Sequence, residues 1–208
     1  MNRGKILESW RRKGSVKGGR EGPDFIVVSN EDKLDLRGAR GIAGLLPFGD
    51  ANALSLEAAR ERVPKAGATP VLAGICATDP LRLMDKFLQE MKAVGVAGVQ
   101  NAPSVGLIDG GFRTSLEDGK LGYGKEVGLV RLAEALDLIT MMFVFSPEDA
   151  AGMAEAGADV VVVHPGFGAA PESKAVASIA AAARKAKKNI LVFGFGRALE
   201  GMDGIQTE

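Results

Sequence analysis

Polar side chains with the chemistry to contact a ligand follow several of the short apolar runs in this chain. They are Asn30, Cys76, Thr78, Asp79, Gln100, Asn101 and His164, and a glycine-flanked loop adds Asp50 and Asn52. Neutral amides, a carboxylate or two and one imidazole are the groups that a small polar ligand or a hydrated divalent metal would use. The set indicates a ligand site without specifying the ligand.

The two carboxylates have both a functional and a structural interpretation. Asp50 and Asp79 could each contact a hard cation such as Mg²⁺, directly or through water. Each could equally cap a helix, Asp50 the helix after it and Asp79 a helix that begins at Pro80. Both interpretations stay open.

The amides and the imidazole are open to the same two interpretations. Gln100 and Asn101 follow a strand too short and apolar to solvate them, so a ligand or a neighbouring loop must supply their hydrogen-bond partners. His164 ends a run of four valines, where a structural role competes with general acid or base chemistry. Cys76 is expected to be a core residue, since there is no second histidine to activate it as a nucleophile.

Three glycine-rich stretches lack the spacing of a Walker loop or of a dinucleotide fingerprint. They lie at residues 17–20, 166–168 and 194–197. Backbone N–H groups there could still hold an anion, with Arg197 as its charge partner.

Short apolar runs alternate with stretches of helical period along the chain. The predicted strands are residues 25–28, 71–75, 96–99, 138–145, 160–163 and 190–193. The predicted helices are residues 53–63, 81–94, 126–136, 148–155 and 174–187. Such alternation predicts a parallel sheet, whose ligand site lies at the carboxyl ends of the strands.

The strands recur about every 33 residues, the size of one βα unit. Eight such units would need roughly 264 residues, close to a (β/α)₈ barrel, and this chain has 208. No linker or low-complexity tract divides it. The sequence therefore predicts one α/β domain over residues 1–208, whose sheet is either open or a barrel that is trimmed or incomplete.

The amino-acid composition argues against several classes of function. Equal numbers of basic and acidic residues, 26 of each, remove the positive field that supports nucleic-acid binding. One Cys and one His exclude an all-Cys/His zinc site from a single chain. Without an apolar stretch long enough for a membrane span or a signal-peptide core at the start, we expect a cytoplasmic protein that binds neither nucleic acid nor membranes.

Four longer strings of sequence are more specific. They are GIAGLLPFGDAN at 41–52, TPVLAGICATDP at 69–80, GVQN at 98–101 leading to VGLIDG at 105–110, and AGAD at 156–159. Together they closely resemble the phosphoenolpyruvate hydrolase-like TIM-barrel family over roughly residues 24–168.

The resemblance implies a barrel related to the phosphoenolpyruvate mutase and isocitrate lyase superfamily, usually a homo-oligomer. Family members are described as phosphonopyruvate or phosphoenolpyruvate hydrolases, and others as signal-transduction barrels. The resemblance thus implies a hydrolase or lyase that acts on a small oxoacid bearing phosphate or phosphonate, with Mg²⁺. The alternative is a non-catalytic ligand-sensing or scaffold barrel with shortened loops.

On the enzyme interpretation the candidate residues divide by role. His164 and Asp79 would be catalytic, and Asp50 and Asp79 would contact the metal. The substrate would be bound by Asn30, Asn52, Gln100, Asn101 and Arg197.

This sequence also departs from the family pattern. Only residues 15–20 stand where the family has a glycine-rich first strand. After His164 the family carries an insertion, a strand closed by a His-Gly-Gly segment and a final strand, and here residues 194–208 replace them. Taken with the resemblance, these departures imply a (β/α)₈ TIM-barrel-like fold that is trimmed or incomplete at both ends. Strand edges left open by it would favour self-association.

Overall fold

Six parallel strands form one sheet in the computed structural model of the protein, which describes residues 2–13, 16–18, 23–34, 43–46, 48–164, 166, 173–195 and 205–207. The strands, which pair in chain order, are β2 (Ile26–Val28), β3 (Val71–Gly74), β4 (Gly98–Gln100), β5 (Ile139–Val144), β6 (Val160–Val163) and β7 (Leu191–Gly194). All six overlap the strands predicted from sequence. The predicted parallel α/β sheet is therefore confirmed.

Two further strands pair with each other. They are β1 (Val16–Gly18) and β8 (Ile205–Thr207), and they run parallel with Val16 opposite Ile205. The segment 15–20 thus still contains a strand, although the sequence pattern left its place in doubt. The described strands thus form a six-stranded parallel sheet and a separate parallel pair. This arrangement is a trimmed version of the predicted barrel.

Seven helices connect or flank these strands in the described part of the chain. They are α1 (Arg3–Lys13), α2 (Ala51–Arg62), α3 (Met84–Val94), α4 (Gly110–Asp118), α5 (Gly124–Ala135), α6 (Pro147–Glu155) and α7 (Ser173–Ala186). The five predicted helices are confirmed to within three residues at each end, and α1 and α4 were not predicted. Asp50 caps α2, one of its two interpretations, by accepting from Ala53 N–H at 2.9 Å, and Ser146 caps α6 by accepting from Asp149 N–H at 3.0 Å.

The prediction that Asp79 caps a helix beginning at Pro80 is wrong. Helix α3 begins four residues later, at Met84, with Leu83 at its N-cap. Asp79 instead closes a turn, because its Oδ1 accepts from Leu81 N–H at 2.8 Å. This bond spans two residues, as in an Asx turn, and it leaves residues 80–83 as loop.

The sheet is apolar on both faces, and its side chains alternate between them. Val99, Val144 and Val163 belong to the core cluster that contains helices α2, α3, α5, α6 and α7, which defines the outer face. Leu72, Met141, Val162 and Phe193 belong to a second cluster on the opposite side, the inner face. The residue after Val99 or Val163 therefore faces inward.

Helix α1 covers part of the inner face. Its Leu7 and Trp10 are 5% and 3% exposed and belong to the inner cluster, where the Trp10 ring lies 5.4 Å from that of Phe25. Arg3 donates two hydrogen bonds to Asp159, at 3.0 and 2.8 Å. Asp159 immediately precedes β6, so α1 is anchored at the amino ends of the strands. The carboxyl ends, where the candidate residues lie, face the other way.

Candidate functional site

Gln100 and His164 are the two candidate side chains that strand alternation directs to the inner face. Each follows an outward-facing valine, Val99 in β4 and Val163 at the end of β6. Both residues mark the carboxyl ends of their strands, as the sequence predicted. They form the core of a candidate site at that end of the inner face.

Gln100 is nearly buried as a residue, although its polar atoms are not fully enclosed, since Ser55 Oγ is the only fully buried side-chain polar atom without a partner in the described residues. Its residue is 5% exposed, and its side-chain amide makes no hydrogen bond to any residue that the structure describes. Beside it, Gly74 allows a close approach of neighbouring chain, since a Cβ there would lie 2.9 Å from Ala102 O and 3.0 Å from Ser29 Cβ. A buried amide with spare donor and acceptor capacity is suited to a polar ligand.

His164 lies in an aromatic enclosure. Its imidazole stacks on Phe195 with ring centroids 4.6 Å apart and meets the edge of Phe143 at 5.0 Å, with Phe145 at 5.3 Å. Its Nδ1 accepts a hydrogen bond from Gly166 N–H at 2.9 Å, so a neutral ring carries its proton on Nε2. Burial lowers the pKa of His164 to about 4. At neutral pH this residue is an uncharged hydrogen-bond donor.

Asn101 turns to the opposite side from Gln100. It is fully buried, its Oδ1 accepts from Phe143 N–H at 2.7 Å, and its Nδ2 donates to Phe143 O and to Glu126 on α5. These bonds lock β4 to β5 and so set the position of the Phe143 ring beside His164. The expectation that Gln100 and Asn101 orient one ligand together is not supported, since adjacent strand residues face opposite sides.

Glu126 is an acidic residue that sequence reasoning missed. Its side chain, 1% exposed, accepts from Ser104 Oγ at 2.7 Å and Val105 N–H at 2.8 Å in addition to Asn101. Burial raises the pKa of Glu126 to about 7, although these hydrogen bonds favour the ionised form. This carboxyl fixes the loop after β4.

Asp50 and Asp79 are brought together by Arg82, a second residue that sequence reasoning missed. Arg82 Nη1 donates to Asp50 Oδ1 at 2.9 Å and to Asp79 Oδ2 at 2.7 Å, and its Nη2 donates to Asp50 Oδ2 at 2.7 Å. The Arg82 guanidinium holds the pKa of the Asp50 carboxyl below its usual value. Burial alone would raise the pKa of Asp79. Hydrogen bonds from Asn52, Leu81 N–H and Arg82 have the larger effect, so the pKa of this carboxyl lies below its usual value.

Asn52 and Asn30 also hold loops in place. Asn52, 1% exposed, accepts from Cys76 N–H at 2.9 Å and donates to Cys76 O at 3.0 Å and to Asp79 Oδ2 at 2.8 Å. Asn30 Nδ2 donates to Gly44 O at 3.1 Å. Both amides have their partners within the protein. Arg197 lies outside the described residues.

The described residues show neither a cluster of metal-binding side chains nor a membrane-spanning helix. No group of three or more His, Cys, Asp or Glu side chains is placed to hold a metal ion there. Within the same ranges, no helix is both long enough and apolar enough to cross a membrane. Burial raises the pKa of the Cys76 thiol, which fits the expected packing role better than a nucleophile.

A cavity of about 320 Å³ lies away from these residues, at the amino ends of β3, β4 and β5. Arg3, Lys92 and Asp137 are among the residues that line it. Arg3 is already paired with Asp159, and Lys92 Nζ donates to Leu136 O. None of the candidate residues lies there, so the carboxyl-end site remains the better candidate.

Solved structures support the barrel relationship. A 2,3-dimethylmalate lyase, a member of the PEP mutase/isocitrate lyase superfamily, has a TM-score of 0.59 at 12% identity, covering 100% of this chain and 76% of that chain. A structure described as a phosphonomutase from Burkholderia cenocepacia J2315 has a TM-score of 0.55 at 16% identity, covering 99% and 91%. At such identities the likeness shows the fold alone.

Relatives with curated names are closer in sequence. The ToMV resistance protein Tm-1 of Solanum lycopersicum is 50% identical over 146 residues, which is 70% of this chain and 19% of that protein. A transcriptional regulatory protein, y4pA, of Sinorhizobium fredii is 29% identical over 170 residues, 81% of this chain and 28% of that protein. The chain thus spans 19% to 28% of the length of these relatives. The family match itself covers residues 15–207, and the chain belongs to the phosphoenolpyruvate hydrolase-like family.

Proposed function

We propose that this chain is an enzyme domain that binds a small phosphate- or phosphonate-bearing oxoacid at the carboxyl ends of its strands. The observation that carries the proposal is the Gln100 side chain, which is 5% exposed and makes no hydrogen bond within the described residues. A carboxylate or carbonyl oxygen of an oxoacid would accept a hydrogen bond from the amide nitrogen of this side chain, Nε2. Membership of the phosphoenolpyruvate hydrolase-like family supports the substrate class.

His164 supplies the second polar group of this proposal. With its proton on Nε2 and a pKa near 4, the ring is neutral at pH 7 and donates a hydrogen bond to an oxygen that gains negative charge. This is a narrower role than the general acid or base expected from sequence. The surrounding rings of Phe143 and Phe195 limit water at the imidazole and strengthen such a bond.

Magnesium stays an expectation of the family and does not fit the predicted ligands as they are arranged. When bound, a divalent cation would neutralise the acid's oxygens. Each of the four carboxylate oxygens of Asp50 and Asp79 already accepts a hydrogen bond, and the Arg82 guanidinium bridges the pair. No step of the proposal therefore depends on these two residues as metal ligands.

The test is a turnover screen of the purified protein with phosphoenolpyruvate, phosphonopyruvate and oxaloacetate. Each acid is assayed with Mg²⁺, with Mn²⁺ and with a chelator, and the matched variants are Gln100→Ala and the exposed-helix control Gln89→Ala. We expect product from at least one acid, at least about a tenfold loss in Gln100→Ala and no loss in Gln89→Ala. Flat progress curves with every acid and metal would remove the enzyme proposal.

A non-catalytic ligand-sensing or scaffold barrel is the second candidate function. Its support is that Asp79, the carboxylate expected to be catalytic, is held by Asn52, Leu81 N–H and Arg82. In that case an oxoacid would raise Tm without being consumed, because a ligand that binds only the native state stabilises it. Product formation under the same conditions would reject this candidate.

Self-association belongs to the same proposal. Leu81, Leu83 and Phe112 are 82%, 73% and 66% exposed, in loops and a helix that follow the carboxyl ends of β3 and β4. Exposed large apolar side chains are typical of surfaces that bury against a partner. Light scattering at tens of micromolar should show an oligomer, and a well-folded monomer there would count against it.

A further inference from the structure

We propose that Arg82 takes the place of a metal ion as the group that holds the rim loops, defined as residues 48–50 and 75–83, in position beside the candidate site. The rim loops lie ahead of α2 and between β3 and α3. The Arg82 guanidinium joins them by two bonds to Asp50 and one to Asp79. The inference rests on the proposed function in one respect only, which is the expectation that a magnesium ion would bind at these carboxylates.

The chemistry of the contacts suits a guanidinium. Arginine presents a planar fork, and here one edge of that fork meets both oxygens of Asp50, at 2.9 and 2.7 Å. The second hydrogen of Nη1 reaches Asp79, so a single nitrogen contacts both carboxylates. A divalent cation between the same two carboxylates would need the space that this nitrogen fills.

The remaining contacts of Asp79 also come from within the protein. Its Oδ1 accepts from Leu81 N–H, and its Oδ2 accepts from Asn52 Nδ2 as well as from Arg82. The Asp79 side chain is 9% exposed and that of Arg82 is 24% exposed. Bridges of this kind, sheltered and built from several charge-assisted bonds, contribute more than an isolated surface pair.

The first experiment asks whether a divalent cation binds to these carboxylates. Mn²⁺ alone is titrated into the purified full chain, and free Mn²⁺ is followed by electron paramagnetic resonance for wild type, Asp50→Asn and Asp79→Asn. We expect the three binding curves to superimpose. Stoichiometric Mn²⁺ binding by wild type that either substitution weakens about tenfold or more would overturn the inference. Because no oxoacid is present, the result leaves the turnover screen unaffected.

The second experiment asks whether Arg82 holds the rim loops. The amide hydrogens of Ala53, Cys76 and Leu81 each donate to a side chain of this network, so their exchange with deuterium reports on it. In chelator-treated protein we expect their exchange to be about tenfold faster in Arg82→Gln than in wild type. The control is Arg60→Gln, which removes an exposed pair with Glu90 and should leave these amides unchanged.

A milder variant protects the test against misfolding. Arg82→Lys keeps the charge but cannot span both carboxylates with a fork, so the same three amides should still exchange faster than in wild type. Unchanged exchange in both Arg82→Gln and Arg82→Lys would overturn the inference. So would exchange in wild type that slows when Mg²⁺ is added and quickens when it is chelated.

Discussion

The contacts of the Asp79 carboxylate decide between the two roles that the sequence left open for it. As a helix cap it would tolerate Asn, because Asp and Asn cap almost equally well. Its contacts are instead three donors: Leu81 N–H on Oδ1, and Asn52 Nδ2 with Arg82 Nη1 on Oδ2. In either orientation of its amide, an Asn side chain in this place would point its NH₂ group at one or two of these donors.

Asp79→Asn should therefore destabilise the protein. We expect a loss of about 1–3 kcal/mol in the free energy of unfolding, the range for removing a hydrogen bond to a charged group and leaving its donors unpaired. The measurement is urea denaturation at pH 7. Asp118→Asn, an exposed change in α4, is the control and should lie near wild type. Equal stability of Asp79→Asn and wild type would return this residue to a simple capping role.

Glu126 gives a pH prediction with a definite sign. Its pKa rises from 4.5 in the unfolded chain to about 7 in the fold because of burial. The folded state then holds the proton more tightly, so the associated stability is full below about pH 4.5 and is lost as the pH rises through about 7. The loss is on the order of 3 kcal/mol.

Glu126→Gln should remove this part of the pH dependence. The difference in unfolding free energy between pH 5 and pH 8 should be larger in wild type than in Glu126→Gln, since groups common to both proteins cancel. Glu155→Gln, at an exposed position in α6, should retain the wild-type profile. Identical profiles for wild type and Glu126→Gln would contradict the raised pKa.

For individual residues, the sequence predicted the positions of the candidate side chains more accurately than their contacts. Gln100 and His164 were correctly placed at strand ends, since the alternation of apolar runs determines where a strand stops. Arg82 and Glu126 were missed because their roles depend on contacts with residues 32 and 25 positions away, Asp50 and Asn101. The one available signal was Arg82 three residues after Asp79, a spacing that puts the two within reach.

Among the elements, helix α1 has the clearest structural consequence. Leu7 and Trp10 pack on the inner face with Phe25, and Arg3 is paired with Asp159 at the amino end of β6. Asp159 also accepts from Thr140 N–H at 3.0 Å, so α1 is tied to both β5 and β6. The inner face is closed at this end by a helix that the sequence pattern did not predict.

Trp10→Ala should accordingly cost about 3–5 kcal/mol of stability, the usual range for deleting a buried aromatic side chain. Arg12→Ala, on the exposed side of the same helix, should be nearly neutral. Thermal and urea denaturation of both variants make the comparison. If Trp10→Ala is as stable as Arg12→Ala, then α1 does not close the inner face.

The elements that were missed share a physical cause. Helix α1 contains six charged residues among its eleven, and α4 contains no buried residue, so neither shows a strong apolar period. Strands β2 to β7 were found because buried parallel strands consist of almost continuous apolar residues. The start of α3 was placed three residues early because Asp79-Pro80 has the composition of a helix start but closes a turn.

For the whole molecule, the inner face divides into an apolar half toward the amino ends of the strands and a polar edge at their carboxyl ends. The inner face is filled by apolar side chains and α1 toward the amino ends, and its polar groups Gln100 and His164 lie at the carboxyl ends. The barrel was implied by the resemblance to the family, and chain length with strand spacing indicated that it would be trimmed. The pairing of β1 with β8 was not, since three-residue strands leave almost no periodic signal.

The most direct test of the account is isothermal titration of phosphoenolpyruvate into wild type, Gln100→Ala and Gln89→Ala. Among the candidate residues that the structure describes, Gln100 carries the only side-chain amide without a hydrogen bond to a described residue, while Gln89 is an exposed residue of α3. The account predicts one site per chain, with affinity at least about tenfold weaker in Gln100→Ala and unchanged in Gln89→Ala. Equal affinity in all three proteins, or no binding by wild type, would contradict it.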